Sequence, residues 1–83
     1  MNNTIRGLLK KHAGLPVNVD ELADGADLYA AGLSSFASVQ LMLALEESFD
    51  IEFPDSLLNR KSFQSIEAIE RSLTFILGDR KVA

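Results

Sequence analysis

The chain has 83 residues, 47% of them hydrophobic, which suits one folded domain spanning 1–83 and excludes both a disordered tail and a large enclosed active site. Cysteine is absent, so neither disulfides nor thiol chemistry can come from the polypeptide itself. The formal charge is −4, and no Lys or Arg falls between His12 and Asn59, a distribution that repels nucleic acid and anionic membranes and favours basic partners.

The elements are expected to be helical throughout. Thr4 to Ala13 places Ile5, Leu8, Leu9 and His12 on one face at helical spacing. Asn3 or Thr4 is the expected cap, and Gly14 followed by Pro16 is the stop. Leu15 to Leu33 then reads as a long connection whose Val17, Val19, Leu22, Leu28 and Tyr29 are expected to pack over a core. Ser35 to Phe49 is the clearest helix. Ser34 stands at its N-cap, and Leu41, Leu45 and Phe49 form an apolar stripe at i, i+4 and i+8. These three are assigned to the core, with Phe36, Val39 and Leu43 on adjoining positions. Asp50 ends the helix, Ile51 to Pro54 is expected to be extended, and Pro54 to Asn59 to form one short helical turn. Ser62 is the expected cap of a last helix in which Ile66, Ile69, Leu73 and Ile76 repeat at helical spacing. Strand signals are weak. The architecture is all-α, with three main helices, one short one and a long first loop.

Residues with catalytic potential are scarce. His12 is the single histidine and falls on the apolar side of its helix, where a structural role is expected. Zinc lacks ligands, since cysteine is missing. The stretch from Asp20 resembles a calcium loop only faintly, because Leu22 and Ala31 occupy positions that need oxygen ligands. Gly32-Leu33-Ser34-Ser35-Phe36 lacks the second glycine of a nucleophile elbow. The carboxylates are scattered along solvated faces. No base stands near Ser34 or Ser35 in the local sequence, so a serine here would be modified by another protein's active site. The positive end of the helix dipole favours a phosphodiester anion at Ser35. Ser34 and Ser35 acting as plain capping residues is the competing reading. The chain lacks the apolar run of a signal peptide near its N-terminus and a segment able to span a bilayer, so the expectation is a cytoplasmic monomer that binds neither nucleic acid nor membrane.

Asp27-Leu28-Tyr29-Ala30-Ala31-Gly32-Leu33-Ser34-Ser35-Phe36 resembles the Asp-Leu-Phe…Gly-x-Asp-Ser-Leu signature of acyl carrier proteins. The resemblance continues through Val39-Gln40-Leu41, through Leu45 to Asp55, and at Ser62-Phe63. It implies an acyl-carrier-protein-like four-helix bundle that is not an enzyme. It also implies that a phosphopantetheinyl transferase, using coenzyme A and magnesium, attaches 4′-phosphopantetheine to Ser35. Ser34 replaces the usual Asp, Gln40 replaces a usual Glu, and basic Arg60-Lys61 stands where many relatives are acidic. These departures are expected to weaken docking to the basic patches of fatty-acid enzymes. The long connection with the Ser-Ser-Phe core resembles the aminoacyl carrier branch, whose members are loaded by amino acid:carrier-protein ligases similar to truncated class II aminoacyl-tRNA synthetases. A carrier for fatty-acid, polyketide or nonribosomal-peptide synthesis is the alternative within the family, and an unmodified helical interaction domain the alternative outside it. Partner contacts are expected at Leu33, Ser34, Phe36, Val39, Gln40, Leu43, Arg60 and Lys61.

Overall fold

The structure is a computed structural model describing residues 1–82, with side chains described through residue 78. Among the described residues there are three α-helices, α1 (Asn2–His12), α2 (Ser35–Phe49) and α3 (Ile66–Val82), and no strand. The short fourth helix expected at Pro54 to Asn59 is instead a pair of 3₁₀ turns, Asp55–Leu57 and Arg60–Phe63. A third such turn, Val19–Glu21, interrupts the long first connection. The four-helix description therefore holds only when these turns are counted as the short element.

α1 begins two residues earlier than its sequence signals suggest. Met1 is its N-cap and no side chain caps it, so neither Asn3 nor Thr4 has that role. Its last turn carries the cations Lys10 and Lys11, which complement the negative end of the helix dipole. His12 is exposed, not packed, because the inward stripe follows Ile5, Leu9 and Ala13 at i, i+4 and i+8. Gly14 adopts φ +61° and turns the chain out of the helix.

The connection to α2 is stitched down rather than loose. Arg6 donates to the Val19 carbonyl at 2.6 Å, to Asp24 Oδ1 at 2.7 Å and to Asn2 Oδ1 at 2.8 Å. Asn2 in turn donates to Asp24 Oδ1 at 3.0 Å and to Glu70 Oε1 on α3 at 3.2 Å. Backbone bonds Leu28 N to Gln64 O (2.7 Å) and Glu67 N to Asp24 O (2.9 Å) fasten the same connection to the start of α3. Val19 and Leu28 are buried, Leu22 and Tyr29 pack against the core, and Val17 is exposed, contrary to its expected packing.

Leu41 and Leu45 are fully buried, whereas Phe49 only partly covers the core edge. Asp50 follows in the left-handed conformation, φ 52° and ψ 55°, and its N–H closes the helix on the Glu46 carbonyl. Glu46 Oε2 also accepts from Phe53 N at 2.8 Å, holding the extended segment so that Phe53 meets Phe63 at 5.3 Å between ring centroids. The cap of α3 is Ser65, whose Oγ accepts from Ala68 N at 3.0 Å. Ser62, expected in that role, is buried in the preceding 3₁₀ turn, where its N–H donates to Asn59 Oδ1. The helix starts one 3₁₀ turn later than the sequence suggested because Asn59 caps that turn first.

The Asp24 contacts carry a pH dependence. Hydrogen bonds from Asn2 and Arg6 hold its carboxyl below the ordinary value of 3.8. Asp27 is lowered too, chiefly by the Ala30 N–H. A depressed folded value means both groups stabilise the fold above the unfolded-state value, and that contribution is lost as pH falls through the lower folded value. The urea midpoint should therefore fall as pH drops below about 4. Asp24→Asn should lower the midpoint at pH 7 and flatten its acid dependence; an unaltered profile would mean that the Asn2–Arg6–Asp24 cluster adds nothing.

Candidate functional site

Ser35 stands at the first residue of α2 because two adjacent devices fix the chain there. Asp27 Oδ1 accepts from the N–H groups of Tyr29 (2.9 Å) and Ala30 (3.2 Å), folding the preceding segment into tight turns. Gly32 then passes at φ +120°, where an added Cβ would lie 2.8 Å from Pro16 Cδ. Both the backbone angle and the space exclude a side chain at this position. Ser34 enters extended, φ −84° and ψ 163°, and its Oγ accepts from Ala37 N at 3.0 Å. The two serines are thus separated by role: Ser34 is engaged as the helix cap, and Ser35 is exposed to solvent.

Ser35 opens onto a cavity of about 480 Å³. Val39 and Met42 of α2 form one side, and Leu58 and Phe63 from the 3₁₀ region form the other. Asn59 and Arg60 complete the rim with Tyr29, whose ring lies 4.0 Å from the Arg60 guanidinium carbon. Among the described residues no His, Asp or Glu lines this cavity, so none of them would take a proton from the serine hydroxyl.

Of the expected partner contacts, Phe36 (74% exposed), Val39 (51%) and Leu43 (51%) stand on one outward stripe of α2 at i, i+3 and i+7. Gln40 is also exposed, and it shares with Leu43 a depression between α1 and α2 that His12 and Lys11 also border. Leu33 is only 4% exposed and belongs to the core, which corrects its expected role as a direct contact. The Leu33 N–H donates to the Leu28 carbonyl, so the side chain is turned inward where the loop closes on itself. Arg60 and Lys61 are adjacent in sequence yet face different places. Arg60 borders the Ser35 cavity, while Lys61 lies with Arg71 and Phe75 around a separate depression against α3. Tyr29, Ser38, Met42, Leu58, Asn59 and Phe63 were not singled out from sequence as site residues. Met42, seven residues after Ser35 and three after Val39, carried a helical-spacing signal that could have found it. Ser38, three residues after Ser35 on the same helix, carried it too, whereas Tyr29, Leu58, Asn59 and Phe63 come from loops and a 3₁₀ turn, which helical periodicity does not reach.

The chain matches the family described as "Phosphopantetheine attachment site" over residues 3–73. It belongs to that family. The aminoacyl carrier protein of Agrobacterium fabrum (strain C58) is 66% identical over the full length of both chains. The carrier is also similar to a chain in the crystal structure of an engineered Bradyrhizobium japonicum glycine:[carrier protein] ligase complexed with carrier protein from Agrobacterium tumefaciens and AMP. There the TM-score is 0.87 at 70% identity, covering 89% of this chain and 99% of that one. A second complex, of the Bradyrhizobium japonicum ligase with its cognate carrier protein and an analogue of glycyl adenylate, matches with a TM-score of 0.70 at 31% identity. That match covers 89% of this chain and 91% of the other. The carrier is not an enzyme, and its prosthetic group is a covalent phosphopantetheine. The site fits such a group: an exposed hydroxyl at the positive end of α2 opens on a cavity where, among the described residues, no carboxylate would repel a phosphodiester. No described helix is long and apolar enough to cross a membrane.

Proposed function

We propose that residues 1–83 form one monomeric, cytoplasmic aminoacyl carrier with 4′-phosphopantetheine attached to Ser35 and charged by an amino acid:carrier-protein ligase. The observation that carries this reading is the exposed Ser35 at the start of α2, in a chain alike over its whole length to an aminoacyl carrier protein. Ser35 Oγ attacks the β-phosphorus of coenzyme A. A P–O bond to the serine forms as the pyrophosphate bond breaks, and 3′,5′-ADP leaves. The serine proton passes to a base of the transferase, since the cavity offers none. When bound, the arm supplies the thiol that the polypeptide lacks, and holds the aminoacyl group as a thioester.

This chain's own residues orient and dock. Ser34 and Gly32 fix the direction in which the hydroxyl leaves the helix. Phe36, Val39 and Leu43 offer the ligase an apolar stripe beside it, with Gln40 on the flank, Arg60 on the cavity rim and Lys61 on another face. From Ser35 to Leu45, α2 carries no charged residue. Apolar burial therefore dominates recognition on this face, and the acid-to-base contacts expected from net charge are secondary. Incubating the holo-protein with ligase, ATP and glycine should add one glycyl group by intact mass, and hydroxylamine should release it. Loading by fatty acyl donors but by no amino acid would overturn the aminoacyl assignment.

A further inference from the structure

We infer that the cavity beside Ser35 is a resting dock for the uncharged pantetheine arm, and that aminoacylation expels the arm from it. This rests on the attachment at Ser35 proposed above. The cavity volume of about 480 Å³ falls within the roughly 300–1,000 Å³ typical of small-molecule sites. It begins at Ser35 itself and runs along α2 to Met42, roughly 10 Å at 1.5 Å per residue. Its floor is apolar, from Val39, Met42, Leu58 and Phe63, while Ser38 and Asn59 offer hydrogen-bonding groups to an arm built of two amides. A tethered ligand needs little affinity, because a short linker holds it at an effective concentration of order millimolar. A dock with a dissociation constant in that range is occupied about half the time.

The lining decides which arm can stay. Among the described residues its single ionisable group besides the Tyr29 phenol is Arg60, and no carboxylate lines it. The Arg60 charge is held in place by the Tyr29 ring. Thiol-ended pantetheine is neutral beyond its phosphate and enters without an unpaired charge. An aminoacyl thioester ends in an α-ammonium group, which would lie against an apolar floor with no anion to pair with it and a cation on the rim. Loading therefore moves the arm into solvent, where an acceptor enzyme can take the cargo, and the spent arm returns to the dock. The same features make the dock indifferent to a neutral cargo of equal size.

The test is methyl and aromatic NMR on four samples: apo, holo, glycyl-holo and propionyl-holo. The acylated samples are made by a transferase from the corresponding coenzyme A thioesters, so no ligase is needed. Propionyl has the shape of glycyl without the ammonium. Holo-protein should shift the signals of Val39, Met42, Leu58 and the Tyr29 ring relative to apo. The propionyl form should keep those shifts, and the glycyl form should return them to apo positions outside residues 34–36. Leu58→Glu, at a position 45% exposed in the wild type, supplies the missing anion and should restore the shifts in the glycyl form. Holo shifts confined to residues 34–36, or identical spectra for glycyl and propionyl, would overturn the proposal. If mass spectrometry shows Ser35 modified in such samples, the dock alone is refuted and the carrier assignment stands.

Discussion

Phe36→Ala should raise the ligase's KM for the holo-carrier about 10- to 100-fold, with little change in kcat. The ring is 74% exposed and packs on little of its own fold, so its truncation leaves the free carrier's stability nearly untouched. Fully burying such a side chain contributes about 1.5–3 kcal/mol, and each 1.4 kcal/mol is about tenfold in an equilibrium constant. Val39→Ala and Leu43→Ala, each about half exposed already, should act in the same direction with smaller effects. The kinetics must use protein shown by mass to be fully holo, because the transferase docks near the same serine. Raising the salt from 50 to 200 mM should change the wild-type KM only a few-fold, since α2 is uncharged over its first eleven residues, Ser35 to Leu45. A KM unmoved by Phe36→Ala would remove the apolar stripe from the docking surface.

The largest stability effect belongs two residues before the last stripe position. Leu41→Ala should destabilise the fold by about 2–5 kcal/mol, the usual span for a buried leucine truncated to alanine. Leu41 has no exposed surface and belongs to the same buried cluster as Ile5 and Leu9 of α1 and Ile69 and Leu73 of α3. At roughly 0.05–0.15 kcal/mol per residue, a chain of 83 residues is stable by about 4–12 kcal/mol. One methyl-lined cavity would therefore remove much of the total. Leu43→Ala, by contrast, should alter stability by about 0.5 kcal/mol or less, because its side chain is half in solvent. Denaturant unfolding of the pair separates the two faces of α2: similar losses at both positions would contradict the assigned core.

That division between core and docking residues was only partly legible in the sequence. Helical spacing placed Ile5, Leu9, Leu41, Leu45, Ile66, Ile69 and Leu73 inside, and all seven are fully buried. Spacing failed where a position falls at the margin of a stripe. His12 lies off the buried line of Ile5, Leu9 and Ala13, and Phe49, at the end of α2, is only partly covered by the core. Leu33 failed for a different reason: it precedes the helix, so its direction depends on the Leu28–Leu33 turn, a contact that no period encodes. Capping followed the same pattern. Ser34 was legible because a polar residue directly preceded a long uninterrupted helix. The start of α3 was not, because Ser62 and Ser65 are both sound caps by type, and Asn59 decides between them by capping a 3₁₀ turn around Ser62.

The same limit applies to the site. Ser35 was found from a local motif, and the exposed stripe from helical spacing. The opposite wall of the cavity comes from Leu58, Asn59, Arg60 and Phe63, more than twenty residues after Ser35, in the 3₁₀ turn Arg60–Phe63 and the two residues before it. From sequence, Arg60 is expected among the partner contacts with Lys61. The structure stacks it on Tyr29 beside the serine instead, and sends its neighbour Lys61 to another face.

Intact-mass analysis after treatment with coenzyme A and a phosphopantetheinyl transferase tests the central claim most directly. Wild-type protein and Ser34→Ala should each gain one phosphopantetheine, the latter more slowly if the weakened cap loosens the helix start, and Ser35→Ala should gain none. Wild-type protein that stays unmodified, or Ser35→Ala that still takes the arm, would contradict the assignment of this carrier's tether to Ser35.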